Sequence, residues 1–97
     1  MNKGKTKFYN FLDSINCDLE IIRISKKGNH SGFSVHIHRC EIKEGNCLVS
    51  EYGHGDTVNE AIQDYIKKII GKKIVIHAFT DFRKEYIVPE NIYFENN

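Results

Sequence analysis

The sequence predicts an α+β fold: one domain over residues 1–97, in the order α-β-β-β-α-β-β, with two helices on one face of an antiparallel sheet. Three observations predict it. Two segments carry apolar residues at helical spacing, one segment alternates apolar and polar with a period of two, and short turn signals separate neighbouring apolar runs. A 97-residue chain that is 40% hydrophobic supplies enough core for one layer of helices on one sheet, and little more.

The first helix is predicted from Phe8, Phe11, Leu12 and Ile15, which fall at i, i+3, i+4 and i+7. Thr6 is its expected N-cap, and Asn16 and Asp18 mark its end. Residues 17–25, rich in Ile and Leu, read as a strand, followed by a turn at Lys26-Lys27-Gly28-Asn29. Residues 32–43 read as one long strand, because Phe33, Val35 and Ile37 alternate with Ser34, His36 and His38. Glu44-Gly45-Asn46 is expected to close a three-residue hairpin into a third strand, 47–52. That register sets Arg39 opposite Glu51 and Ile42 opposite Leu48.

Gly53-His54-Gly55 reads as a tight turn. Thr57 and Glu60 then have the spacing of a capping box. Behind them Val58, Ala61, Ile62, Tyr65, Ile66, Ile69 and Ile70 form one helical face, and Gly71 is the stop signal. Residues 74–79 and 85–88 read as the last two strands, the latter ended by Pro89, with Ile92, Tyr93 and Phe94 as a packed tail.

Composition narrows the function classes. Fourteen basic residues stand against 13 acidic ones, a net charge of +1, so no polyanion partner is implied by charge alone. No apolar run has the ~20 residues that span a bilayer, and the start lacks the apolar core of a signal peptide. The expected location is the cytoplasm, with no membrane contact. Cys17, Cys40 and Cys47 fit no closed disulfide framework and no C-x-x-C pattern, so free thiols are expected.

Two constellations are candidates for ligand contact. His36, His38 and Cys40 alternate, which points them from one face of the long strand, and the expected register brings His54 opposite His36 and Tyr52 opposite His38. These are nitrogen and sulfur groups of the kind zinc takes, but no helical or knuckle spacing accompanies them. A polar contact surface of His36, His38, Tyr52 and His54 is therefore expected, with no metal and no other cofactor. The second constellation is a basic edge of Lys72, Lys73, Arg83 and Lys84, with Tyr86 and either Phe79 or Phe82 beside it, suited to phosphates and bases. A Cys-His nucleophile lacks an oxyanion site and an orienting carboxylate, so no catalytic residue is assigned.

Three family resemblances bear on function. The first five elements, with Gly53-His54-Gly55 before the second helix, resemble the double-stranded RNA-binding domain; that likeness implies nucleic acid as an alternative partner. In that family lysines open the second helix, whereas Asp56, Thr57, Asn59 and Glu60 stand here. The run Gly55-Asp56-Thr57-Val58-Asn59-Glu60-Ala61 resembles a segment of HicB-type antitoxins. Finally, Gly53-x-Gly55-x-Thr57-x-x-Glu60-Ala61-Ile62-x-Asp64-Tyr65, Ile69-x-Gly71-Lys72 and Arg83-x-Glu85-Tyr86-x-Val88-Pro89 resemble small proteins of phages and mobile elements. That last resemblance implies a non-enzymatic, phage-type binding protein. It would inhibit or sequester a host defence component, either a protein or a signalling nucleotide, as a homo-oligomer in some cases.

Overall fold

A computed structural model describes residues 3–26 and 30–92 of the chain. The fold is α+β, with antiparallel sheets and two helices. In chain order the elements are α1 (Lys3–Ser14), β1 (Leu19–Lys26), β2 (His30–Ile37), β3 (Cys40–Glu44), β4 (Cys47–Val49), β5 (Gly53–Gly55), α2 (Val58–Ile69), β6 (Lys73–Ile76) and β7 (Lys84–Ile87). The expected turn at 27–29 and the tail residues Tyr93 and Phe94 lie outside the described residues.

The helices form where the apolar spacing places them. α1 buries Phe8, Leu12 and Ile15, and it begins at Lys3, so Thr6 lies inside it and is not its cap. Its end is set by Asn16, whose φ of 56° is left-handed. There Cys17 N–H donates to Leu12 O (3.0 Å) and Asn16 N–H to Asp13 O (3.1 Å), the paired closing bonds of a Schellman motif. α2 has the expected capping box: Glu60 N–H donates to Thr57 Oγ1 at 3.1 Å, and Thr57 N–H donates to Glu60 Oε1 at 3.1 Å. Ala61, Ile62, Tyr65, Ile66 and Ile69 are buried; Ile70 turns outward at the end of the helix.

The strands form two ladders, β1-β2-β5 and β4-β3-β6-β7. What reads as one strand over 32–43 is broken at His38 and Arg39, where Arg39 takes a φ of 56°. The break reverses the alternation. Before it the odd residues Val35 and Ile37 face the core; after it the even residues Cys40 and Ile42 do. The hairpin into β4 is also one residue tighter than expected. Glu44 pairs with Cys47 and Ile42 with Val49, so the loop is Gly45-Asn46 alone, and the Arg39–Glu51 and Ile42–Leu48 pairings do not form. Gly45, at φ 61°, supplies the positive φ that a two-residue hairpin loop needs at its first position.

Gly53-His54-Gly55 is not a turn but the strand β5, paired with Phe33, Ser34 and Val35. Its glycines are there for proximity. A Cβ on Gly53 would lie 2.2 Å from Ala61 O, and one on Gly55 would lie 2.5 Å from Ala61 N, so β5 rests directly on α2. The helix also seals that strand's outer side, with Asp64 Oδ2 accepting from His54 N–H (2.9 Å) and Lys68 Nζ donating to Tyr52 O (2.9 Å). Both helices and both ladders share one core, in which Phe8 and Leu12 meet Val35, Ile42, Ile62 and Ile74.

Candidate binding surface

The predicted site residues separate onto three surfaces. His36, His38, Tyr52 and His54 lie on the outer face of the first ladder, away from the helices. Cys40 does not join them, because the reversal at Arg39 turns it into the core beside Tyr65. His54 lies opposite Ser34 and not His36, and it is Tyr52 whose ring meets His36, edge-on at 4.9 Å. The expected pairs His36–His54 and His38–Tyr52 are thus replaced by a register shifted by two residues, which keeps these side chains on one face.

The two histidines converge instead on Glu20 of β1, a residue the sequence reading overlooked. Glu20 Oε1 lies 2.5 Å from His38 Nδ1 and 3.4 Å from His36 Nε2. The His38 hydrogen bond, with the neighbouring His36 and Arg39, holds the Glu20 carboxyl below its ordinary range. Arg39 Nε–H donates to His38 Nε2 at 3.1 Å. Both nitrogens of His38 therefore have partners within the protein. Among the described residues, no three His, Cys, Asp or Glu side chains come together as a metal ion would require.

Two of the three thiols are disfavoured as thiolates. Burial pushes the Cys40 thiol up to about 12, outweighing its hydrogen bond with Tyr65, and burial likewise raises Cys17. Only the thiolate attacks. Alkylation at mildly alkaline pH should therefore modify the exposed Cys47 first and leave Cys40 far slower, as peptide mapping by mass spectrometry would read. Comparable rates at the two thiols would contradict the buried placement of Cys40.

The second surface is the outer face of the second ladder, where the expected basic edge is neutralised. Glu85 of β7 draws Arg83 (2.9 Å), Lys43 (3.6 Å) and Lys73 (3.7 Å) onto one carboxylate, and Lys72 pairs with Glu44 at 3.7 Å. The Arg83 bond, together with the two lysines, holds the Glu85 carboxyl below its usual range. Three of the four predicted phosphate contacts are thus committed to carboxylates.

The third surface is the β6–β7 hairpin end. Lys84 and Tyr86 stand on the opposite face of β7 from Glu85, and they line a cleft of about 220 Å³ with Phe82, His77, Ile76 and the end of α1. The loop from 77 to 83 has a fixed backbone. Thr80 N–H and Oγ1 both donate to His77 O (3.1 and 3.0 Å), and Phe82 N–H donates to Thr80 Oγ1 (3.0 Å). On this loop Phe79 is 84% and Phe82 75% exposed. Thr80-Asp81 is the turn signal that could have shown it; a strand running to 79 instead placed Phe79 in the sheet.

These features define a small α+β fold with an aromatic-tipped hairpin. No family model, no curated protein and no solved structure matches the chain. No helix of the described residues is long and apolar enough to cross a membrane.

Proposed function

We propose that the protein is a non-enzymatic binding protein of the phage and mobile-element kind, which acts in the host cytoplasm by occupying a surface of a host protein. The contact is made by the β6–β7 hairpin. The observation that carries this reading is the exposure of Phe79 and Phe82 on a loop whose backbone is hydrogen-bonded in place. Two solvent-facing phenyl rings on a rigid tip are the anchors a partner's pocket would bury. Full burial of each is worth about 1.5–3 kcal/mol, so together they supply a large share of a specific interface.

The polyanion alternative has less support. Lys72, Lys73 and Arg83 already meet carboxylates, and Asp56 and Glu60 stand at the start of α2 where an RNA reader would present cations. A small ligand bound by turnover chemistry is disfavoured by the masked thiol and the internally bonded His38.

The test is capture from a bacterial lysate on immobilised protein. Wild type and Lys72→Ala/Lys73→Ala should retain one protein in near-stoichiometric amount, at low and at high salt. Phe79→Asp/Phe82→Asp should lose it. Retention by the phenylalanine variant, or recovery of nucleic acid that elutes with salt, would overturn the reading.

A further inference from the structure

The cleft behind the aromatic tip has a chemistry of its own. Its floor is apolar, from Ile15 at the end of α1 and Ile76 on β6. Its walls include two aromatic rings, Phe82 and Tyr86. Its polar groups are Asn16, His77 and Lys84. Ile76 is the cross-strand partner of Lys84, and Tyr86 follows on the same face of β7, so the ammonium, the phenol ring and the floor are set by a regular ladder. Asn16 and His77 are two of the three non-glycine residues in the left-handed region among those described, at φ 56° and 53°. Asn16 takes that conformation in closing α1, and His77 in opening the 77–83 loop, so both side chains start from a fixed backbone.

Charge distinguishes this cleft from the rest of the hairpin. Lys43, Lys73 and Arg83 each have a carboxylate within reach on the outer face, and Lys72 has Glu44. Lys84, on the other face, has none among the described residues. The α1 carbonyls that would repel an anion are partly silenced, because Leu12 O and Asp13 O accept the closing bonds from Cys17 and Asn16. A cation is thus left unneutralised beside two aromatic rings, over an apolar floor, with an amide and an imidazole at hand.

The geometry points to a binding site for a small planar aromatic anion: one flat ring carrying a carboxylate or a phosphate. The ring lies on Ile15 and Ile76 against Phe82 and Tyr86. The anionic group meets Lys84, with Asn16 and His77 available to its oxygens. The size sets the class. At about 220 Å³ the cleft is below the ~300–1,000 Å³ of sites that enclose drug-sized molecules, so it takes one ring and its charged substituent. The site shares Phe82 with the protein contact of the tip, but Phe79 does not line it, so Phe79 tells the two apart.

Backbone-amide NMR titration tests it, with phenyl phosphate and phenylacetate as the anionic probes and phenol and phenylacetamide as their neutral counterparts. Both anions should shift the amides of Asn16, His77, Phe82, Lys84 and Tyr86, with dissociation constants of about 1 mM or tighter. Lys84→Gln should weaken each anion about tenfold and leave the neutral probes unchanged, because only the charged group uses the ammonium. Tyr86→Phe should retain binding of the ring. Phe79→Asp should leave every titration unaltered, which separates this site from the protein contact. Saturation by the phosphate alone, or by the carboxylate alone, would identify the natural anion within the same class. Equal affinity for charged and neutral probes, shifts mapping elsewhere, or none at several times that concentration would overturn the assignment.

Discussion

Gly53→Ala should lower the stability of the fold by about 3 kcal/mol or more. The position has no room for a methyl group: a Cβ there would sit 2.2 Å from Ala61 O, 2.4 Å from Tyr65 Cβ and 2.6 Å from Tyr65 N. Two of those three atoms are backbone atoms of α2, so no side-chain rotation can relieve the clash. Relief requires β5 to lift off the helix. That movement would break the Gly53–Val35 pairing and the bonds that Asp64 and Lys68 make to the strand edge. For a domain of this size each kcal/mol moves the melting midpoint by roughly 4–8 °C, so a drop of more than about 12 °C is expected in a thermal melt. Gly45→Ala is the control. It strains a positive φ but meets no atom within 4 Å, and should cost only about 1 kcal/mol. A Gly53→Ala protein as stable as wild type would show that β5 does not rest on α2.

Tyr65→Phe should cost about 2 kcal/mol while leaving the ring's packing intact. β5 pairs with β2 no further than Val35, so Ile37 N–H has no strand partner on that side, and the Tyr65 hydroxyl accepts from it at 3.0 Å. The same hydroxyl bonds the Cys40 thiol across the break between β2 and β3. One phenol oxygen therefore closes the gap where the long strand reverses its facing. Removing it leaves a buried backbone donor unpaired, which is costlier than an exposed loss. Urea denaturation should show the midpoint falling with an unchanged slope. In hydrogen exchange, the Ile37 amide should lose more protection than its neighbours. An unchanged midpoint would mean that water or another acceptor replaces the hydroxyl.

The parts of this fold written in local code were legible in the sequence. The capping box of Thr57 and Glu60, the buried stripe of α2 and the stop at Asn16 depend only on residues within a turn or two of each other. The parts that depend on register were not. Arg39 carries no mark of a left-handed residue, so the reversal that separates Cys40 from His36 and His38 left one trace, the out-of-phase Ile42. Preferring the Arg39–Glu51 charge pair over the glycine-led two-residue turn moved the hairpin by one step. The partners of His36 and His54 changed separately, because β5 pairs with β2 in the other ladder. Gly53 and Gly55 read as turn residues because glycine signals both a turn and a close approach, and only the packed helix decides between them. The basic edge read as available because Glu44 and Glu85 reach Lys72 and Lys73 from other strands, although Arg83 meets Glu85 only two residues along. Glu20 escaped notice because the ladder that pairs it with His36 is what brings it to His38, 18 residues away.

Calorimetric titration of the captured protein partner against paired variants tests the contact surface most directly. Phe79→Asp/Phe82→Asp should weaken binding by at least about a hundredfold, Lys72→Ala/Lys73→Ala should leave it within about twofold, and raising the salt should change little. Affinity that survives loss of both rings, or that collapses with salt and with the lysines, would place the contact elsewhere on the molecule.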